Sequence, residues 1–140
     1  MKLRKQAARV LIAIVVFFNL QSAIVFLIDP ARYSPGFEVS GVPGQALVRG
    51  LGILFIMWNV PYLVAFYDPI RHYISHYETI AMQAIGLAGE SILLGTLPGS
   101  HPALQMTATR FIVFDGVGLI FLIVAALLII RFTKTLKSHK

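Results

Sequence analysis

Four apolar stretches, each about twenty residues long, occupy most of this 140-residue chain. About twenty residues at 1.5 Å per residue cross the roughly 30 Å hydrocarbon core of a bilayer. Such segments leave few folds open. Backbone N–H and C=O groups cannot stay unpaired in lipid, and runs this long are too long for barrel strands, so each must be an α-helix. They fall at residues 7–28, 45–67, 78–97 and 110–132. The fold class read from them is all-α: an integral membrane bundle of four transmembrane helices forming one domain over residues 1–140.

Composition agrees. Hydrophobic residues make up 57% of the chain and charged ones 13%, against roughly 25% charged in a soluble domain. Polar groups are too few to cover a water-facing surface, so the lipid bilayer is the expected partner of the outer faces. The absence of cysteine excludes disulfides, thiolate catalysis and Cys-ligated metal sites.

The net charge of +6 does not point to nucleic acid, because no aromatic residues interleave the basic ones. Eight of the twelve basic residues sit at the ends: Lys2, Arg4, Lys5 and Arg9, then Arg131, Lys134, Lys137 and Lys140. Basic flanks are retained in the cytoplasm. Both termini are therefore expected there, in agreement with an even number of spans and a multi-pass protein of the cell membrane. The first run follows a basic segment, as a signal peptide does, but it is too long for one. No small-x-small site precedes Asp29-Pro30. It reads as a retained helix.

Between the spans, residues 29–44 hold three prolines and three glycines and read as an ordered external loop. Its Tyr33 and Phe37 are expected at the headgroup level, and Trp58, Tyr62 and Tyr67 at an interface. Pro61 is expected to kink the second span. Asp68-Pro69 reads as a cap and first turn opening a short surface helix within 68–77. Residues 98–109 read as a second external loop. In the third span small residues recur at Ala81, Ala84, Ala88, Ser91 and Gly95, with Gly86 and Gly89 beside them. Small faces let helices approach closely in lipid, so this helix is expected at the centre of the bundle.

Against this apolar background stand Arg49, Glu90, Arg110 and Asp115. A charge within hydrocarbon costs roughly 2.5–3.5 kcal/mol on insertion scales, so each needs a partner or a purpose. At 1.5 Å per residue, Arg49, Asp115 and Glu90 lie about 6, 8 and 10 Å below the outer edge, with Arg110 at the rim. The four share one half of the membrane, and their formal charges cancel. One reading makes them interhelical glue, with Arg49 paired to Glu90 or Asp115. The other makes them the lining of a polar pocket. Asn19, Asn59 and Gln83 add hydrogen-bonding capacity, and Gln83 and Glu90, seven residues apart, share a helix face.

Catalytic and metal signatures are missing. His72 and His76 share a face if helical, but two ligands alone make a poor metal site. Ser91 beside Glu90 has no histidine base at its depth. There is no Gly-rich phosphate loop and no HExxH. These absences lean against enzyme activity without deciding it, and no metal or cofactor is expected.

Arg49, Gly50 and Gly52, in the segment VRGLGIL that opens the second span, together with the four-span plan and the proline-rich first loop, resemble the DoxX-like group of small four-helix membrane proteins. The resemblance implies the same bundle. Some members are linked to redox or quinone-related membrane systems, and no catalytic residue carries over. Three functions follow in order of expectation: an accessory or structural membrane protein, acting as a homo-oligomer or in a larger membrane complex; a binding protein for a lipid or quinone-like molecule; and a proton-coupled transporter. What separates the first two is whether Arg49 reaches Glu90 or Asp115, or whether a cavity lies among them.

Overall fold

The computed structural model describes residues 2–137, with side chains described as far as Ile130. His139 and Lys140 lie outside the described residues, as do the side chains of Arg131, Lys134 and Lys137. Four helices are long and apolar enough to cross a membrane: α1 (Lys2–Ile28), α3 (Gly41–Tyr67), α4 (Tyr73–Thr96) and α5 (Pro102–Lys137). A one-turn helix, α2 (Pro30–Tyr33), and a 3-10 turn (Ser34–Phe37) join α1 to α3. The chain is an all-helical, multi-pass membrane protein.

Each long helix buries one seam whose residues recur at steps of three or four residues or at sums of such steps. In α1 it passes through Ala8, Ile12, Val15, Ala23 and Phe26; in α3 through Gly44, Val48, Gly52, Asn59 and Tyr62. In α4 it holds His76, Thr79 and Gln83, and in α5 Ala108, Leu122 and Ala125. That spacing is the signature of side-by-side helices packed at a shallow angle. Cross-helix contacts fix the directions. Lys5 meets Asp68 and Arg9 meets Phe66 across α1 and α3; His76 meets Leu122 and Gln83 meets Asp115 across α4 and α5. Neighbours are antiparallel around a square: α1 touches α3 and α5, and α4 touches the same two, while α1/α4 and α3/α5 are diagonals without close backbone approach.

The bundle has two halves. In the half that carries the N-terminus, Ala8, Ile12, Val15, Val16, Tyr62, Ala65, Leu122 and Ala125 form a continuous buried core. The α1–α3 seam is tight because Gly52 has no side chain; a Cβ there would stand 2.9 Å from the Ala23 carbonyl oxygen and 3.0 Å from Leu27 Cγ. Basic residues of α1 close the end of α3. The Arg9 Nε–H donates to the Phe66 carbonyl at 3.0 Å, with the guanidinium 4.9 Å from the Phe66 ring centre. It thus satisfies one of the carbonyls that a helix end leaves free. Lys5 Nζ bonds Asp68 at 2.6 Å and holds that carboxyl below the usual carboxylate range.

Element ends differ from the sequence reading in ways local chemistry explains. The helix α3 begins at Gly41, since Pro43 falls in its first turn, where no N–H is needed. Pro102 likewise opens α5, so residues 102–109 are helix rather than loop. Asp68 caps only a turn, accepting from the Ile70 and Arg71 amides; α4 then starts at Tyr73, and the expected surface helix is instead its first turn. Asp29 is used in the same way, accepting from the Arg32 amide at 3.4 Å. The expectation that α4 lies centrally is corrected. Of the four span windows its own is the least buried, and Ala81, Ala88, Ser91 and Gly95 are exposed. Its inward face is the polar series His76, Thr79, Gln83, Gly86 and Glu90, and the small stripe lies off that face.

A candidate binding cavity in the upper half of the bundle

The half of the bundle beneath α2 and the 3-10 turn is not filled. It holds a cavity of about 620 Å³ lined by all four long helices and by the turn above them. This size falls within the range of pockets for drug-sized ligands, about 300–1,000 Å³.

The floor of the cavity is a hydrogen-bonded chain. The Tyr62 hydroxyl donates to Gln83 Oε1 at 2.6 Å, with the Thr79 carbonyl 3.3 Å away. Gln83 Nε2 donates to Asp115 Oδ1 at 2.8 Å. Glycines make room for the chain. A Cβ at Gly86 would collide with Asp115 Oδ2, and one at Gly118 would stand 2.6 Å from Gln83 Nε2.

The walls are aromatic. Phe26, Phe37, Phe111 and Phe55 form a closed ring of contacts with centroids 5.8, 6.2, 6.1 and 5.9 Å apart in turn. Tyr33 packs on Phe26 at 5.2 Å, and Trp58 lies 6.3 Å from Phe55. Tyr33 and Phe37 therefore face the bundle rather than a headgroup layer. Tyr62, expected at an interface, is 3% exposed in the floor. At the rim stand two exposed cations, Arg32 and Arg110; Arg110 also reaches Met106 Sδ at 3.4 Å.

Of the four charges singled out in the sequence, Glu90, Asp115 and Arg110 line this cavity. Arg49 does not. It is exposed on α3, one residue past the buried Val48, and so a 100° step round the helix from the seam. Among the described residues the ion pairs are Lys5–Asp68 and His101–Glu38, so Arg49 pairs with neither Glu90 nor Asp115. Helical phase, not spacing along the chain, sets it apart from the other three. Asn19, Asn59 and Gln83 all line the cavity. His76 is buried in α4, its Nε2 3.0 Å from the Leu122 carbonyl, rather than beside the lipid surface. Among the described residues no three metal-binding side chains converge.

Two buried side-chain atoms lack a protein partner, Asn59 Oδ1 and Glu90 Oε2. Both belong to residues of the cavity lining. Buried polar atoms are normally satisfied, since leaving one unpaired costs about 1–3 kcal/mol. Asn59 is 1% exposed; its Nδ2 donates to the Phe55 carbonyl at 2.7 Å, which leaves its oxygen free.

A latch holds the roof. Glu38 follows the 3-10 turn in the left-handed conformation (φ 54°). It accepts from the Leu104 amide at 3.2 Å and lies 2.5 Å from His101 Nδ1, while the Thr107 hydroxyl donates to the Gly36 carbonyl at 2.6 Å. The His101 hydrogen bond, with help from the Leu104 amide, holds the Glu38 carboxyl below its usual 4.5. A lowered folded-state value contributes stability that is fully present above the unfolded value and lost as pH falls through the folded one. The protection of the Leu104 amide against hydrogen exchange, relative to the intrinsic rate at each pH, is expected to hold at neutral pH and to fall below pH 4.5. Glu38→Gln is expected to remove that pH dependence.

No protein-family model, curated protein or solved structure matches this chain.

Proposed function

We propose that this protein binds a lipid or quinone-like small molecule within the membrane, with the polar end of the ligand on the Asn59–Gln83–Asp115–Glu90 floor and its apolar part among the rings. The observation that carries this reading is the cavity of about 620 Å³ lined both by aromatic rings and by the polar side chains of Asn59, Gln83, Asp115 and Glu90. A purely structural bundle gains nothing from such an arrangement; filling it with apolar side chains would be the more stable solution.

The α3–α4 seam favours entry from the bilayer. It has the sparsest backbone approach of the four seams, and the hydrogen bonds across it occur at the Tyr62 level. Beyond Gln83 no residue of α4 is buried, and half-exposed Trp58 stands at the cavity wall. With both termini in the cytoplasm of a cell-membrane protein, as the basic flanks favour, the cavity occupies the outer half. The resemblance to DoxX-like proteins is compatible with this reading. The accessory role remains open to it as well, since a binding subunit can serve a larger complex.

Native mass spectrometry of gently purified protein is expected to show a co-purifying small molecule or lipid. Trp58, the single tryptophan, is a built-in reporter of the cavity. Ser22→Phe, which projects a ring into the cavity from α1, is expected to abolish both the bound mass and the Trp58 response while the protein still folds. A wild-type protein that is ligand-free and whose fluorescence ignores a total lipid extract would overturn the proposal.

A further inference from the structure

The charged groups of the cavity lining are separated by level. Arg32 on α2 and Arg110 on α5 stand at the mouth, and Glu90 and Asp115 lie in the floor. On α5 the step from Arg110 to Asp115 is five residues, a rise of about 7.5 Å, and Phe111 of the aromatic ring falls between them. Both arginines are exposed. Neither has an ion-pair partner among the described residues, where the ion pairs are Lys5–Asp68 and His101–Glu38. The two carboxylates that flank the roof are engaged elsewhere. Asp29 accepts from the Arg32 backbone amide, and Glu38 is bonded to the Leu104 amide and to His101. The Arg110 guanidinium reaches Met106 Sδ, an uncharged and weak acceptor.

A guanidinium stays protonated in any protein, whereas a carboxyl is neutral or negative. Two arginines and two carboxyls therefore give the lining a net charge between 0 and +2, and never a negative one. The fixed charge is positive and lies at the mouth, where it favours an anion and opposes a cation. The planar guanidinium fork also matches the geometry of carboxylate and phosphate. An acid placed on the floor would instead meet Glu90 and Asp115, which can add only negative charge. Below the mouth, the ring of Phe26, Phe37, Phe111 and Phe55 offers apolar surface to the rest of the molecule. Resting on the binding role proposed above, we infer that the ligand is an anionic amphiphile: a carboxylate or phosphate group at Arg32 and Arg110, joined to an apolar body that lies among the rings. A neutral polar group at the far end of that body can still meet the floor. The two arginines set the head-group specificity and the direction in which the ligand lies. Arg49 provides the internal comparison, since it is exposed on α3 near the same end of the bundle and outside the cavity lining.

The test uses the whole protein in an uncharged maltoside detergent, where no lipid phosphate competes, at a pH that ionises the carboxylate. Isothermal titration calorimetry, corrected for empty micelles, compares dodecanoate, dodecyl phosphate, dodecanol, dodecylammonium and inorganic phosphate. The two long-chain acids are expected to bind at least about tenfold more tightly than dodecanol, a difference of about 1.4 kcal/mol. The double variant Arg32→Gln, Arg110→Gln is expected to lose that preference and to keep the binding of dodecanol; either single change is expected to lower it by about threefold. Arg49→Gln is expected to leave every affinity unchanged. Equal binding of acids and alcohol would overturn the anionic class and leave the binding role standing. So would tightest binding of dodecylammonium. Inorganic phosphate that binds as tightly as dodecyl phosphate would overturn the amphiphile and leave a free-anion site. A loss in Arg49→Gln equal to that in the double variant would show general attraction of this end of the bundle for anions and overturn the mouth site. Binding of none of the long-chain compounds, alongside an unresponsive Trp58 in lipid extract, would remove the binding role itself.

Discussion

Gly52→Ala is expected to destabilise the bundle by about 1–3 kcal/mol, the usual cost of forcing extra volume into a well-packed contact. Its Cβ would stand 2.9 Å from a backbone carbonyl, that of Ala23, and 3.2 Å from Phe26 Cβ. Backbone cannot rotate aside as a side chain can, so α1 and α3 must separate. Gly50, two residues earlier on the same helix, has nothing within 4 Å of its Cβ position. Gly50→Ala is expected to be neutral or to stabilise by up to about 1 kcal/mol through helix propensity. Thermal unfolding in detergent, followed by circular dichroism, compares the two. Similar melting temperatures for both variants would show that the α1–α3 seam is looser than the structure has it.

The second large effect is at Gln83. Replacing it with leucine removes the acceptor of the Tyr62 hydroxyl and the donor to Asp115 together. Single hydrogen bonds between helices in lipid average about 0.6 kcal/mol, with a maximum near 1.7. Here the Asp115 oxygen is also left without its donor, at about 1–3 kcal/mol in ordinary protein interiors, while the Tyr62 hydroxyl keeps the Thr79 carbonyl as an acceptor. Gln83→Leu is accordingly expected to cost about 2 kcal/mol. Arg49→Ala serves as the contrast. Being exposed and outside the ion pairs of the described residues, it should change stability by no more than about 0.5 kcal/mol. Unfolding in denaturing detergent, monitored for both variants, separates the cases. A stable Gln83→Leu beside an unstable Arg49→Ala would reverse the assignment of the bundle's polar anchor.

These two contrasts also mark what the sequence could and could not disclose. The number and order of the long apolar helices follow from length and hydropathy. Gln83 and Glu90 were legible as one face by their spacing of seven. Rotation about the helix axis was harder. In α3 almost every position is apolar, so nothing in the hydropathy separates Val48 from Arg49 as the inward residue. The buried series Gly44, Val48, Gly52, Asn59 and Tyr62 does carry the phase, and following Asn59 back along it would have placed Arg49 outside. In α4 the recurring small residues suggest the packing face, yet the buried positions are the polar ones, His76, Thr79 and Gln83. Inside lipid, polarity was the better guide to the interior than size. The aromatic ring around the cavity had no local signal, since its members come from α1, the 3-10 turn, α3 and α5 and meet only in three dimensions.

Phe55 and Phe111 meet edge to face with centroids 6.1 Å apart, and they join α3 and α5, which have no close backbone approach. The two rings act as a strut that sets the calibre of the cavity. The girth of molecule the protein admits is therefore written in the size of two side chains, separately from the hydrogen-bonding groups that choose its chemistry. A lineage of such bundles could retune one without disturbing the other.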